Sequence, residues 1–161
     1  MSITTGPGKK FLEEMFLGIH TLSEGSPSSD VIKVALYGPN AVLGPTIDTY
    51  TASNEVSGGG YTAGGDILTG LTVVGSSGSS RGDGAQFADP YVNPTDDMTI
   101  LVSGVGVRGL MMYNSSQSDR NIFTLDFGTT LTPTTGILLT WGLTNVVELK
   151  DALIPLLGNT I

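Results

Sequence analysis

The sequence predicts an all-β domain with a helix near its N-terminal end, and three observations predict it. Glycine supplies 23 of 161 residues, about twice the ordinary share of roughly 7%, whereas Lys and Arg together number only 7. That balance favours short strands joined by turns over long, solvated helices. Residues Ile122 to Phe127 alternate strictly, with Phe123, Leu125 and Phe127 on one face and Ile122, Thr124 and Asp126 on the other. Period two marks a half-buried strand, because successive side chains leave opposite faces of the pleat. Upstream, Val105, Val107, Met111 and Tyr113 recur at even spacing among Gly104, Gly106 and Gly109, and the polar stretch Asn114 to Asn121 turns the chain. Together these runs form a β-hairpin from about Asp97 to Gly128.

A chain of this length fits one compact domain able to bury roughly two-thirds of its unfolded surface. It has no cysteine, which excludes disulfides, thiolate zinc sites and a cysteine nucleophile. The formal charge of −8 argues against nucleic acid as a partner, since phosphate binding depends on Lys and Arg. No run reaches the eighteen or so apolar residues of a membrane span. Lys9 and Lys10 precede a segment interrupted by Glu13 and Glu14, unlike a secretory signal, so the expected place of synthesis and folding is a cytoplasm.

Residues 1–8 read as a flexible N-terminal arm, with Pro7 between glycines. From Lys9 to about Leu22 the period becomes helical: Leu12, Met15, Phe16 and Ile19 fall at i, i+3, i+4 and i+7, and Phe11 and Leu22 widen the stripe. Such a short helix needs a surface to dock on. Its stripe covers the sheet or packs against a neighbouring copy or another protein. Ser23 to Asp30 is a turn-forming loop. Val31 to Tyr37 is a strand with Ile32, Val34 and Leu36 on one face and Lys33, Ala35 and Tyr37 on the other. Gly44 and Pro45 punctuate an irregular connection over Ala41 to Tyr50.

Thr51 to Gly65 contains three consecutive glycines, Tyr61 and a second glycine pair, a tight loop that the aromatic anchors to the core rim. A phosphate-binding loop would need Lys-Ser/Thr after the glycines, and none follows. A dinucleotide fingerprint would need a helix, but Asp66 to Val74 reads as a strand. These glycines are turn and bulge residues. Gly75 to Gly84 is a low-complexity surface loop containing Arg81-Gly82-Asp83; the tripeptide is read as ordinary turn residues rather than an adhesion motif. Phe87 and Tyr91 are expected to be buried around Pro90, and Asn93 to Asp97 forms another turn. After the hairpin, Thr129 to Thr135 is a polar loop. Gly136 to Leu143 is a last strand with Ile137, Leu139 and Trp141 on one face. Asn145 and Glu148 match a helix start, giving a short C-terminal helix with Leu149, Ala152, Leu153 and Leu156 as its stripe, kinked and ended by Pro155 and Gly158. This tail tucks into the domain or meets a partner.

Three stretches taken together resemble a family of tailed-bacteriophage virion proteins: residues 34–65, where a strand ending ALY precedes NEVSGGGYTAGG; residues 107–128, where a MYN turn leads to a strand ending LDFG; and the helix before IKVALY. The resemblance spans roughly residues 9–143 and lies in the order and spacing of these motifs. It implies an antiparallel jelly-roll-like β-sandwich used as a particle component, with residues 1–8 as arm, 9–143 as the sandwich domain with its helix, and 144–161 as a docking tail. Roles in that family include capsid decoration (cement) and fibre- or tail-associated proteins.

Little in the chain suggests catalysis. His20 is the only histidine, and inside the proposed helix it reads as a solvent-facing or interface residue rather than part of a triad. Acids at Asp89, Asp96 and Asp97 lack EF-hand spacing, and no carboxylate pair stands out. No catalytic residue, metal or cofactor is therefore expected. The leading expectation is a virion protein on the capsid surface that cements neighbouring capsomers. Its partner would be the major capsid protein, without nucleic acid or membrane, and it would be a homo-oligomer, with a trimer suiting a three-fold position. Contacts are expected at Phe11, Leu12, Met15 and Phe16 and at Leu153, Leu156 and Leu157. A tail or fibre component is the first alternative. A carbohydrate-binding β-sandwich with an aromatic patch at Tyr61, Tyr91 or Trp141 is the second.

Overall fold

The computed structural model describes residues 2–22, 29–74, 91–94, 97–141 and 147–149, with side chains left undescribed at 72–74, 91–94, 140–141 and 147–149. Within these residues the protein is mainly β, with antiparallel sheets and one short helix. The strands are β1 (Gly6–Pro7), β2 (Ile32–Tyr37), β3 (Asp66–Ile67), β4 (Leu71–Val74), β5 (Tyr91–Pro94), β6 (Met98–Ile100), β7 (Val107–Asn114), β8 (Arg120–Leu131), β9 (Ile137–Trp141) and β10 (Val147–Leu149). The helix α1 covers Lys9–Phe16. A five-stranded sheet runs β1-β8-β7-β2-β3, a three-stranded sheet runs β10-β9-β6, and β4 pairs with β5. No helix among the described residues is long and apolar enough to cross a membrane.

The alternation in β2 is as the sequence predicts, but both of its faces are buried. Ile32, Val34 and Leu36 join Leu110, Leu125 and Phe127 in one cluster, which also takes in Ile100, Ile137 and Leu139 from the three-stranded sheet. Ala35, Tyr37, Met111 and Tyr113 form a second cluster on the opposite face, closed by Ile3, Ala41 and Leu43. A strand covered on both sides carries apolar residues almost continuously, as β2 and β7 do.

The cover of the second face corrects the expected flexible arm. Ile3 bridges Leu43, and β1 pairs with β8 through Gly6–Thr124 and Pro7–Phe123. The Thr4 N–H donates to the Leu43 carbonyl at 2.9 Å, and the Thr124 hydroxyl donates to the Thr4 carbonyl at 2.7 Å. Ile3 is a core residue, and its burial holds this segment down.

The central hairpin begins at Val107 rather than Asp97. Met98–Ile100 pairs with β9 in the other sheet, and Gly104, with φ +67°, lies in the irregular segment between. The turn is tighter than expected, with Ser118 and Asp119 at positive φ, and β8 continues through the expected polar loop to Leu131. Tyr113 pairs with Asn121 and Met112 with Phe123, so Ile122 is an extra residue in the ladder. This bulge places Ile122 in the same cluster as Leu125 and Phe127, whereas alternation alone puts it on the opposite face. Arg108 holds Asp126 across the two strands at 2.7 Å.

Three further boundaries differ. Asp66 to Val74 divides into β3 and β4, which lie in separate sheets, with Gly70 at φ +71° between them. Asn93 and Pro94 belong to β5 rather than a turn. Val147–Leu149 is a strand on the edge of β9, with Val147 opposite Trp141. Over Val147 and Glu148 the expected first turn of a helix is thus replaced by sheet pairing, which suits the β-branched Val147; Asn145 lies outside the described residues. The remainder of that helix, Phe87, and the Arg81-Gly82-Asp83 loop lie outside the described residues.

Tyr61 anchors the glycine-rich loop as its sequence suggests. Its hydroxyl donates to Glu55 Oε1 at 2.7 Å and accepts the Leu36 N–H at 3.0 Å. Glu55 also accepts from the Tyr50 hydroxyl at 2.6 Å and the Gly64 N–H at 2.8 Å. The Tyr113 hydroxyl donates to the Gly64 carbonyl at 2.6 Å, and its ring stacks on Tyr50 at 4.7 Å. Gly65, at φ +72°, packs so closely on the β2 backbone that a Cβ would strike the Val34 carbonyl. Burial, reinforced by the Glu55 charge, pushes the Tyr37, Tyr50 and Tyr61 hydroxyls above the ordinary tyrosine value, and burial with nearby Asp119 and Glu55 takes Tyr113 up to about 12.

Candidate interaction surface

The helix α1 is short because its end is built in. Leu17 caps it, Gly18 adopts φ +68°, the Gly18 N–H donates to the Met15 carbonyl and the Ile19 N–H to the Glu14 carbonyl, both at 3.1 Å. This pairing is a Schellman motif, which reverses the chain through a left-handed glycine. The helix therefore stops well before Leu22, and the reversal carries His20 back under it.

Of the helix residues only Phe11 and Glu14 are buried. Of the two orientations open to the apolar stripe, the structure has the outward one: Leu12, Met15 and Phe16 are exposed, continued by Leu17 and Ile19, with Phe16 94% exposed. Phe11, expected at a partner contact, is a core residue whose ring lies 4.9 Å from that of His20. Leu153, Leu156 and Leu157 lie outside the described residues. Leu17 is the member of this surface that helical spacing did not select. Exposed apolar residues elsewhere, such as Val42, Ile67 and Leu101, are separated along the chain and ordinary for a protein surface.

Beneath the helix lies a polar network. Glu14 accepts from Arg120 Nε at 3.0 Å and from His20 Nε2 at 3.0 Å. Asn114 Nδ2 lies 2.9 Å from His20 Nδ1 and donates to Asp30 Oδ2 at 2.8 Å. Asp30 also accepts the Thr21 N–H at 2.8 Å and Gln117 Nε2 at 3.0 Å. Asn114 Oδ1 accepts the N–H groups of Ser116 and Gln117. Burial opposes the Asp30 charge, but hydrogen bonds from Thr21, Gln117 and Asn114 outweigh it and hold the carboxyl below its ordinary value.

His20 therefore corrects the reading of a solvent-facing or interface residue: its side chain is fully buried. The cause is the Schellman reversal together with two hydrogen-bond partners, Glu14 on the helix and Asn114 on the hairpin. Glu14, Arg120 and Asn114 went unselected in the sequence, since no local pattern links a helix carboxylate to the far end of a hairpin. Tyr61, proposed for a sugar-binding patch, points its hydroxyl into the Glu55 cluster and is buried; the Tyr91 and Trp141 side chains are outside the described set. Asp97 is exposed, while Asp89 and Asp96 are not described. Among the described residues, no three His, Asp or Glu side chains are grouped to hold a metal ion.

The arrangement presents a solvent-facing apolar surface on a helix whose underside is pinned by charge. No protein-family model, no curated protein and no solved structure matches this chain.

Proposed function

We propose that the chain is a bacteriophage capsid decoration protein that binds the major capsid protein between neighbouring capsomers. The observation that carries this reading is the outer face of α1, where Leu12, Met15, Phe16, Leu17 and Ile19 stand exposed on a helix fixed to the sheet. A contiguous exposed apolar surface marks an interaction site more often than chance, and the ordered motifs at residues 34–65 and 107–128 resemble those of phage virion proteins. In this role the two larger sheets are the layers of a jelly-roll-like β-sandwich, facing each other across Val34, Leu36, Ile100 and Leu139. The protein works without catalysis, by adding interface area that must be lost before the shell ruptures. Copies at symmetry-related positions, as trimers at three-fold points, make that gain collective.

Counting the chain on purified particles tests the reading. A decoration protein is present in hundreds of copies, on the order of one per capsomer subunit, while a tail or fibre component is limited to roughly one or two dozen. A count in the lower range makes it a tail or fibre protein, and its absence from particles overturns both. Phe16→Ser in the folded protein is expected to abolish binding to undecorated shells.

A further inference from the structure

We propose that α1 is an acid-released flap, latched to the hairpin by the Glu14–Arg120 ion pair and the hydrogen bonds of a neutral His20 rather than by apolar burial. This inference concerns the fold itself and holds whatever partner the outer face meets.

The latch follows from the hydrogen-bond inventory. Asn114 Oδ1 is held by two backbone N–H groups, from Ser116 at 3.0 Å and Gln117 at 3.2 Å, which fixes its amide orientation. Its Nδ2 must then donate both hydrogens, one to Asp30 and one to His20 Nδ1. His20 Nδ1 is consequently an acceptor, and the imidazole is the neutral tautomer with its proton on Nε2, directed at Glu14. Every site in the chain Arg120–Glu14–His20–Asn114–Asp30 is matched in this one protonation state.

Acid breaks the match at two points. A proton arriving on His20 Nδ1 faces the Asn114 amide hydrogens, donor against donor. A proton on the Glu14 carboxylate removes the anion between two cations, leaving the Arg120 guanidinium and the imidazolium under the helix with Asp30 as the remaining acid in the network. Unpaired buried charge is unfavourable, and the imidazolium bears most of that cost, because its side chain is fully buried while that of Arg120 is 30% exposed. Beyond its first turn, where the Gly8 N–H donates to the Ile122 carbonyl and the Lys9 N–H to the Pro45 carbonyl, both at 2.9 Å, little else holds the helix, because Phe11 is its only buried apolar residue. The sheets beneath keep two apolar clusters that contain no titratable member of this network. The helix thus opens before the sheets do.

Hydrogen exchange on the full chain between pH 7 and pH 4, corrected for intrinsic rates, reads this directly. The α1 amides are expected to lose about tenfold or more of their protection while the β7 amides keep theirs. Glu14→Gln is expected to loosen α1 already at pH 7, because its Nε2 meets a donor on one side. Glu14→Gln combined with Arg120→Leu keeps an acceptor for His20 and removes the stranded cation, leaving only the His20–Asn114 clash, so α1 is protected at pH 7 and loses clearly less protection in acid than the native chain. Loss of α1 and β7 protection in a single transition overturns the proposal. So does a double variant that opens in acid as readily as the native chain.

Discussion

Glu14 and Glu55 each gather a hydrogen-bond cluster around one carboxylate, with opposite kinds of partner. Glu55 accepts from the neutral donors Tyr50, Tyr61 and Gly64, and its cluster ties a long loop to β2 and β7 over a sheet face packed with apolar residues. Glu14 relies on a guanidinium and an imidazole, and its cluster ties down a helix with one buried apolar side chain. Two carboxylates that look alike in sequence therefore make one region rigid and the other conditional. The neutral donors around Glu55 carry no site that takes up a proton, while the imidazole beside Glu14 does, and its uptake sets donor against donor.

Alkali should strike the first region hardest. The raised Tyr37, Tyr50, Tyr61 and Tyr113 hydroxyls favour folding fully below the unfolded value near 10, and that contribution is lost as pH climbs through the folded values. Phenolate absorbance should therefore rise late and together with loss of sheet structure, near pH 12 or above; independent ionisation of these rings near pH 10 would erase the contrast. Phe127→Ala, beneath the sheet both regions share, should cost about 3–5 kcal/mol in chemical denaturation. Tyr61→Phe leaves the buried Leu36 N–H without its acceptor and Glu55 without a donor, for a loss of about 2–3 kcal/mol. At the helix, Gly18→Ala forces an L residue into φ +68° and should cost about 1 kcal/mol, read as faster exchange in α1. Phe16→Ser should move the melting temperature least, within about 0.5 kcal/mol.

How far the sequence revealed this division depends on the range of the interactions. The alternation in Ile32 to Tyr37 and in Phe123 to Phe127 identified strands whose Val34, Leu36, Leu125 and Phe127 are buried, because period two is a local property. The second buried face escaped, since Ile3 and Leu43 cover Ala35 and Tyr37 only after the chain folds back. The helix begins at Lys9 as its spacing predicts but ends at Phe16 rather than about Leu22, and of the two orientations the stripe left open it faces outward, with Phe11 alone turned into the core. Helical spacing selects the most apolar stripe, but docking was decided by Arg120 and Asn114, which no local pattern connects to Glu14. Gly18 was a readable C-terminal stop signal, and taking it would have shortened the helix and lifted His20 out of it. The strand at Val147–Leu149 was hidden by a capping pattern that pairing with β9 overrode.

The pairing of β1 with β8 also sets an order of events. Gly6 and Pro7 find their partners at Thr124 and Phe123, and the Thr4 carbonyl waits for the Thr124 hydroxyl. On a ribosome adding about 5–20 residues per second, residues 3–7 leave the tunnel several seconds before the strand that receives them exists. Ile3 and the outer face of α1 spend that interval side by side with nothing built beneath them. Closure of such distant contacts is slow compared with local helix formation, so the stitching of β1 onto β8 has to wait for the hairpin, and until then Ile3 has no core to enter.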